Sequence, residues 1–191
     1  MTKKEKSGSA RSAKNRPSTF DVIIETPKGS RNKFKFDPDT RMFRLSKVLP
    51  EGMVFPYDFG FVPSTVGDDG DPIDILVLGD EPTFPGCLLK CRLIGVIEAD
   101  QEEKRKRKRN DRLVAVAEQS LLYSDITHLG GLNSKVLEQV EDFFVNYQKV
   151  RNVRVTILGR QGPGRALEIL RGAVSRNRSG RPFFEHETIS R

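Results

Sequence analysis

The stretch over residues 56–78, PYDFGFVPSTVGDDGDPIDILVL, constrains this chain more than any other. It carries Asp69, Asp71 and Asp74 in a fixed pattern, with Asp68 just before them. Gly67, Gly70 and Pro72 punctuate it, which predicts that its first part is neither regular helix nor regular strand. IDILVL follows directly, apolar and β-branched, and reads as a buried strand. Carboxylates held a few ångströms apart repel and raise one another's pKa unless something positive sits among them. A hard divalent cation with oxygen ligands, most often Mg²⁺, fills that need. DDGD is equally good turn chemistry, so on spacing alone a solvated acidic turn is the other reading.

A chain of 191 residues suits one domain plus some tail, and a hydrophobic fraction of 36% leaves part of it outside a core. No apolar run approaches the ~18 residues of a membrane span. No apolar stretch follows the early lysines, so neither a membrane span nor a secretory leader is expected, and the expected location is cytoplasmic. Cys87 and Cys91 lie in a strand-like run whose spacing puts their Cα atoms roughly 13 Å apart. That is too far for a disulfide, and free thiols are expected.

The net charge of +7 is unevenly spread. Residues 1–18 hold six Lys/Arg against one Glu with no large apolar residue beyond Met1, and read as a disordered basic arm. Lys104 to Arg109 are six consecutive basic residues, read as a loop insert over 104–110. Residues 172–191 read as a basic tail, leaving a domain over 19–171. Such runs serve as solvated surface, or as weak contacts to polyanions.

Within the domain, FDVIIETP reads as a strand, and NKFKFDPDTRMFRL as a hairpin with Lys33 and Lys35 on one face and Phe34 and Phe36 on the other. GCLLKCRLIGVIEA, RLVAVAE and RVTILG are further strands. The spacing of Val136, Val140, Phe143, Phe144 and Tyr147 predicts a helix over 133–149, capped by Asn133 or Ser134. GPGRALEILRGAV predicts a short helix entered through Pro163. Short strands followed by late helices argue α+β with a small barrel.

VIIETP, NKFKFD, PYDFGF, DGDPIDILVL, PGCLLKCRLIGV, DRLVAV and FFVNYQK, in that order, resemble family I soluble inorganic pyrophosphatases from about Phe20 to Leu170. The resemblance implies a small OB-like β-barrel with flanking C-terminal helices, commonly assembled as a homo-oligomer. It implies Mg²⁺-dependent hydrolysis of pyrophosphate to two phosphates. By similarity, Asp71 would orient or deprotonate the attacking water, and Asp69, Asp74 and Glu25 would face the metals. Lys33 and Tyr147 would hold phosphate oxygens, with Lys47 and Arg112 at the positions of further anion-binding residues.

The chain also departs from the family pattern. Lys47 and Phe59 stand where an arginine and a tyrosine are usual, Lys35 replaces a glutamate, and Gln148 a lysine. An aspartate upstream of the VAV strand has no single match among Asp100, Glu98 and Glu102, and Asp100 is taken as the metal ligand there. The next metal position falls on Asn110, with Arg112 two residues on for a lysine. Either the strand keeps register and presents Asn110, or a β-bulge turns Asp111 inward as the metal ligand; the long basic insert just before favours the bulge. Two functions follow: pyrophosphate hydrolysis at a modified site, or a weakened pyrophosphatase fold acting as a basic polyanion-binding module.

Overall fold

The computed structural model describes residues 19–150 and 152–177. The expected basic arm, residues 1–18, and residues 178–191 of the expected tail lie outside the described residues. Chain order is β1 (Thr19–Thr26), β2 (Asn32–Asp37), β3 (Met42–Val48), β4 (Asp58–Phe61), β5 (Asp74–Leu78), β6 (Leu88–Glu103), β7 (Lys106–Arg109), β8 (Arg112–Ala117), α1 (Ser134–Lys149), β9 (Arg154–Gln161) and α2 (Pro163–Asn177). Strands β1, β4, β5, β8 and β6 pair in that order and β6 returns to β1, so the sheet closes into a ring. β9 and β7 extend it from β6, and β2–β3 form a separate hairpin. The architecture is α+β, dominated by sheet, with the two helices late in the chain.

β5 and β8 pair in parallel and are buried almost throughout. Ile75, Val77, Leu113 and Ala115 pack in one core cluster with Ala166, Leu170 and Ala173 of α2. Leu76, Leu78, Val114 and Val116 pack in the other with Leu137, Val140 and Phe144 of α1. Strands covered on both faces have no solvent side, which is why IDILVL reads as one apolar run rather than an alternating one. Each fully buried Leu or Ile contributes about 1.5–3 kcal/mol of transfer free energy.

The Asn133 side chain caps α1 by accepting from the Lys135 backbone N–H at 2.9 Å. Leu137 joins Val140, Phe144 and Tyr147 in the buried stripe, while Val136 and Phe143 are half-buried. α2 runs on through Gly172 to Asn177, into the segment expected to be tail, because Ala173 is fully buried against the core.

One local expectation is corrected. The first part of residues 56–78 does contain a strand: β4 is buried at all four positions. Gly60 there is a site of close approach rather than a breaker, since a Cβ would lie 2.0 Å from the Ile23 carbonyl oxygen. The basic insert, a hairpin-loop excursion between two strands by its place in the sequence, is a hairpin arm. Lys104 and Arg105, with φ of 49° and 64°, make a two-residue turn, and β7 pairs back on β6 from Glu103↔Lys106 to Asp100↔Arg109. Cys87 and Cys91 are both free, and burial pushes the Cys91 thiol up to about 12.

Candidate active site

A cavity of about 510 Å³ opens among the β2–β3 hairpin, the loop before β5, the ends of β6 and β8, and the last turn of α1. Its carboxylates are Glu25, Asp69, Asp71 and Asp74, and its cations Lys33, Lys35, Lys47 and Arg112. Tyr147, Gln148, Gln101 and Asn110 also line it. Glu25, Lys33, Lys47, Asp69, Asp71, Asp74, Arg112 and Tyr147 are thus brought together from six separate segments, while Asp100 and Asp111 lie outside this cavity.

The acidic loop is shaped by its own backbone. The Gly67 N–H donates to the Asp71 carbonyl at 2.7 Å, the Gly70 N–H to the Gly67 carbonyl at 3.2 Å, and the Asp71 N–H to Asp69 Oδ1 at 3.2 Å. Gly70 has φ of 90°, the left-handed conformation that favours glycine. Buried Thr65 ties the loop ends: its hydroxyl donates to the Val62 carbonyl at 2.6 Å and accepts from the Ile73 N–H at 3.0 Å. Burial raises the Asp69 carboxyl above its usual range, and the Asp74 and Asp71 charges add to this against the Asp71 N–H and Arg112. Burial likewise pushes Glu25 up to about 7, although it accepts from the Phe36 N–H at 2.7 Å and feels Lys33. Desolvation of the charged form is the main physical cause in both cases, and neighbouring carboxylate charge adds to it.

The protein answers part of this crowding with its own cations. Lys35 Nζ lies 3.0 Å from Asp71 Oδ2, and an Arg112 guanidinium nitrogen lies 3.0 Å from Asp74 Oδ2. Arg112 is 6% exposed, and its Nε has no hydrogen-bond partner among the described residues. Lys33 Nζ stands 4.6 Å from the Phe59 ring centroid, so the phenylalanine at the usual tyrosine position serves as a cation–π floor. Tyr147 is buried, stacked on Phe143 at 12°, with the Lys33 and Lys47 ammoniums 5.6 and 5.1 Å from its ring centre. The expected division of β2 into a lysine face and a phenylalanine face is incomplete. A bulge between Lys33 and Phe34 disturbs the register with β3, and Phe36 lines the cavity beside both lysines.

The far wall differs most from expectation. Asp100 points away from the cavity and pairs with Arg107, its Oδ2 2.7 Å from the Arg107 Nε, while Gln101 faces inward. Adjacent strand residues face opposite sides, so only one of the pair can line the cavity. Counting by twos from buried Ile97 through Ala99 reaches Gln101, the parity signal that picks out the residue missed in sequence. Between Arg109 and Arg112 there is no bulge: Asp100↔Arg109 and Ile97↔Arg112 belong to one continuous register. Asn110 therefore lines the cavity, and the favoured inward turn of Asp111 is not what the chain does. Asp111 accepts from the Ala99 N–H at 3.0 Å and pairs with Arg109 at 2.6 Å. It lines a separate recess of about 40 Å³, shared with Asp69 and Asp74, which is too small for a polyatomic anion.

In kind, Asp69, Asp71 and Asp74 are hard oxygen donors suited to a divalent ion. Among the described residues no three His, Cys, Asp or Glu side chains converge on one ion's position. An arriving ion therefore competes with Lys35 and Arg112 for these carboxylates. Three lysines and an arginine line the same cavity, so its lining suits a small anion of high charge density carried in with cations.

Comparison with known proteins agrees. A family model described as inorganic pyrophosphatase matches residues 22–178. The inorganic pyrophosphatase of a Nostoc species is 37% identical over 153 residues, covering 78% of this chain and 86% of that protein. That of Methanosarcina acetivorans is 36% identical over 155 residues, covering 81% and 90%. The crystal structure of the Thermus thermophilus inorganic pyrophosphatase superposes with a TM-score of 0.79 at 29% identity, covering 90% of this chain and 95% of that one. The chain belongs to the inorganic pyrophosphatase family.

Proposed function

We infer that this chain hydrolyses pyrophosphate to two phosphates in the cavity between the acidic loop and the lysine hairpin, with Mg²⁺ as its divalent ion. The observation that carries this is the convergence of Asp69, Asp71 and Asp74 with Lys33, Lys47, Arg112 and Tyr147 on one cavity. Asp71 takes a proton from the attacking water, whose oxygen bonds to one phosphorus as the bridging P–O bond breaks. Lys33, Lys47 and Arg112 hold the phosphoryl oxygens by charge, and the Tyr147 hydroxyl adds a hydrogen bond. Asp69, Asp74 and Glu25 would hold Mg²⁺, which lowers the pKa of bound water and offsets charge on the leaving phosphate when present. Asn110 takes the place of a carboxylate, and neither Asp100 nor Asp111 is retained as a metal ligand.

The ring of strands is taken as the OB-like barrel of the family, and the active form as a cytoplasmic homo-oligomer with residues 1–18 as a basic arm. A purely polyanion-binding role is less well supported, because it has no use for the carboxylates of Glu25, Asp69, Asp71 and Asp74 in one cavity, and two of the six cations of the basic hairpin are engaged locally. Arg107 pairs with Asp100, and Arg109 with both Glu98 and Asp111. Phosphate release from pyrophosphate, with Mg²⁺ and with excess EDTA, tests the reading. Release with the ion and none with the chelator is expected; no release at any Mg²⁺ concentration would overturn it.

A further inference from the structure

Each half of a functioning pyrophosphate site carries a charge problem: carboxylates that repel one another, and a substrate that repels them all. Here the four carboxylates lining the cavity, Glu25, Asp69, Asp71 and Asp74, are matched by four cations, Lys33, Lys35, Lys47 and Arg112. The lining is formally neutral before any ion arrives. The remaining polar lining at Gln101, Asn110 and Gln148 is amide and adds no negative charge. Two of the cations are placed on the acidic loop and its strand: Lys35 Nζ at 3.0 Å from Asp71, and Arg112 at 3.0 Å from Asp74.

These two differ in freedom. Arg112 is 6% exposed and its guanidinium lies 5.5 Å from the Phe144 ring centre, so it is held in place. The Lys35 side chain is 52% exposed, on the β2 strand of the hairpin rather than in the core. A lysine of that kind can move from a carboxylate to a nearby phosphoryl oxygen, trading one charge-assisted hydrogen bond for another. When it does, Asp71 is released to face water.

We propose that Lys35 and Arg112 are resident counter-charges that replace part of the divalent-ion complement. The site binds a diphosphate anion with no divalent ion present, and holds fewer ions when loaded than it would with a carboxylate at residue 35. Lys35 is a positioning and anion-binding residue, and its departure from Asp71 couples anion arrival to freeing the base. The inference rests on the functional reading above but concerns ion number and anion binding, not turnover.

The test uses imidodiphosphate, whose P–N–P bridge resists hydrolysis, titrated calorimetrically into the full-length protein in excess EDTA. Mn²⁺ bound per chain is then counted by equilibrium dialysis with the anion present. The parent protein is expected to bind the anion in EDTA, Lys35→Met to weaken that binding tenfold or more, and Lys35→Glu to lose it. Lys35→Glu is also expected to bind about one more Mn²⁺ per chain. Lys108→Met, on the outer hairpin, controls for net charge and should match the parent in both measurements. Lys35 is exposed enough that its variants fold, which thermal melting verifies. No binding by the parent in EDTA, a Lys35→Met loss no larger than the control's, or an unchanged ion count in Lys35→Glu each overturns the proposal. If the anion binds in EDTA but phosphate release is never seen with Mg²⁺, the hydrolytic reading fails and this one stands. Release that occurs alongside binding strictly dependent on divalent ions has the reverse meaning.

Discussion

Two neighbouring stretches of the ring line the cavity, and they are built differently. An exposed loop between β4 and β5, strands buried at nearly every position, supplies Asp69 and Asp71, and the start of β5 supplies Asp74. The β6–β7 arm and the start of β8 supply Gln101, Asn110 and Arg112 from a hairpin whose outer strand, KRKR, is mostly exposed. The first carries the carboxylates and the second presents amides beside a guanidinium. A buried scaffold pins its loop through close backbone contacts, so changes there disturb the core. An exposed hairpin is held by ion pairs such as Arg107–Asp100 and Arg109–Glu98, and residues at its base can change while the fold survives.

The largest effect expected from this contrast is structural. Gly60→Ala puts a methyl where the Ile23 carbonyl stands, 2.0 Å away, and backbone cannot yield as a side-chain tip does. A loss of about 3 kcal/mol or more is expected in urea unfolding, at the upper end of overpacking penalties. A loss under about 1 kcal/mol would mean that β4 is not wedged as described.

Next in size is the amide wall. Asn110→Asp restores a charged oxygen ligand facing the cavity and should lower the Mg²⁺ needed for half-maximal phosphate release by about tenfold. Asp111→Asn should leave that requirement within about twofold, since Asp111 faces Arg109 and the Ala99 N–H instead. The opposite ranking in a Mg²⁺ titration would restore the bulge that the register excludes.

Smallest of all is the outer arm. Lys106→Ser with Lys108→Ser changes exposed positions of β7 and should shift stability by no more than about 0.5 kcal/mol. A shift in thermal midpoint beyond that range would show that the arm is more than surface.

Elements with a single strong determinant were legible in the sequence: β5 from its unbroken apolar run, α1 from its stripe and the Asn133 cap, the β2–β3 hairpin from the DPDT turn. β4 was hidden because a short strand flanked by prolines and holding Gly60 carries breaker residues whose purpose is close packing. The end of α2 was set too early because Gly172 lowers helix propensity locally, while burial of Ala173 one residue later outweighs that cost. At the site, the acidic loop could be read from residue types and spacing. The far wall depends on strand parity, and the nearest carboxylates in sequence, Asp100 and Asp111, have the wrong parity for the cavity. Their roles as partners of Arg107 and Arg109 follow only from the hairpin's pairing, which composition reads merely as a charged run.

The central claim is that Asp71 activates water for attack on pyrophosphate in this cavity. Parent and Asp71→Asn proteins, purified side by side, should be compared for phosphate release at saturating Mg²⁺ and pyrophosphate. Removal of a general base predicts a fall of about 10²-fold or more in turnover. The unfolding midpoint should hold, because the Lys35–Asp71 pair is half-exposed and contributes little stability. Turnover in Asp71→Asn within a few-fold of the parent would contradict the account.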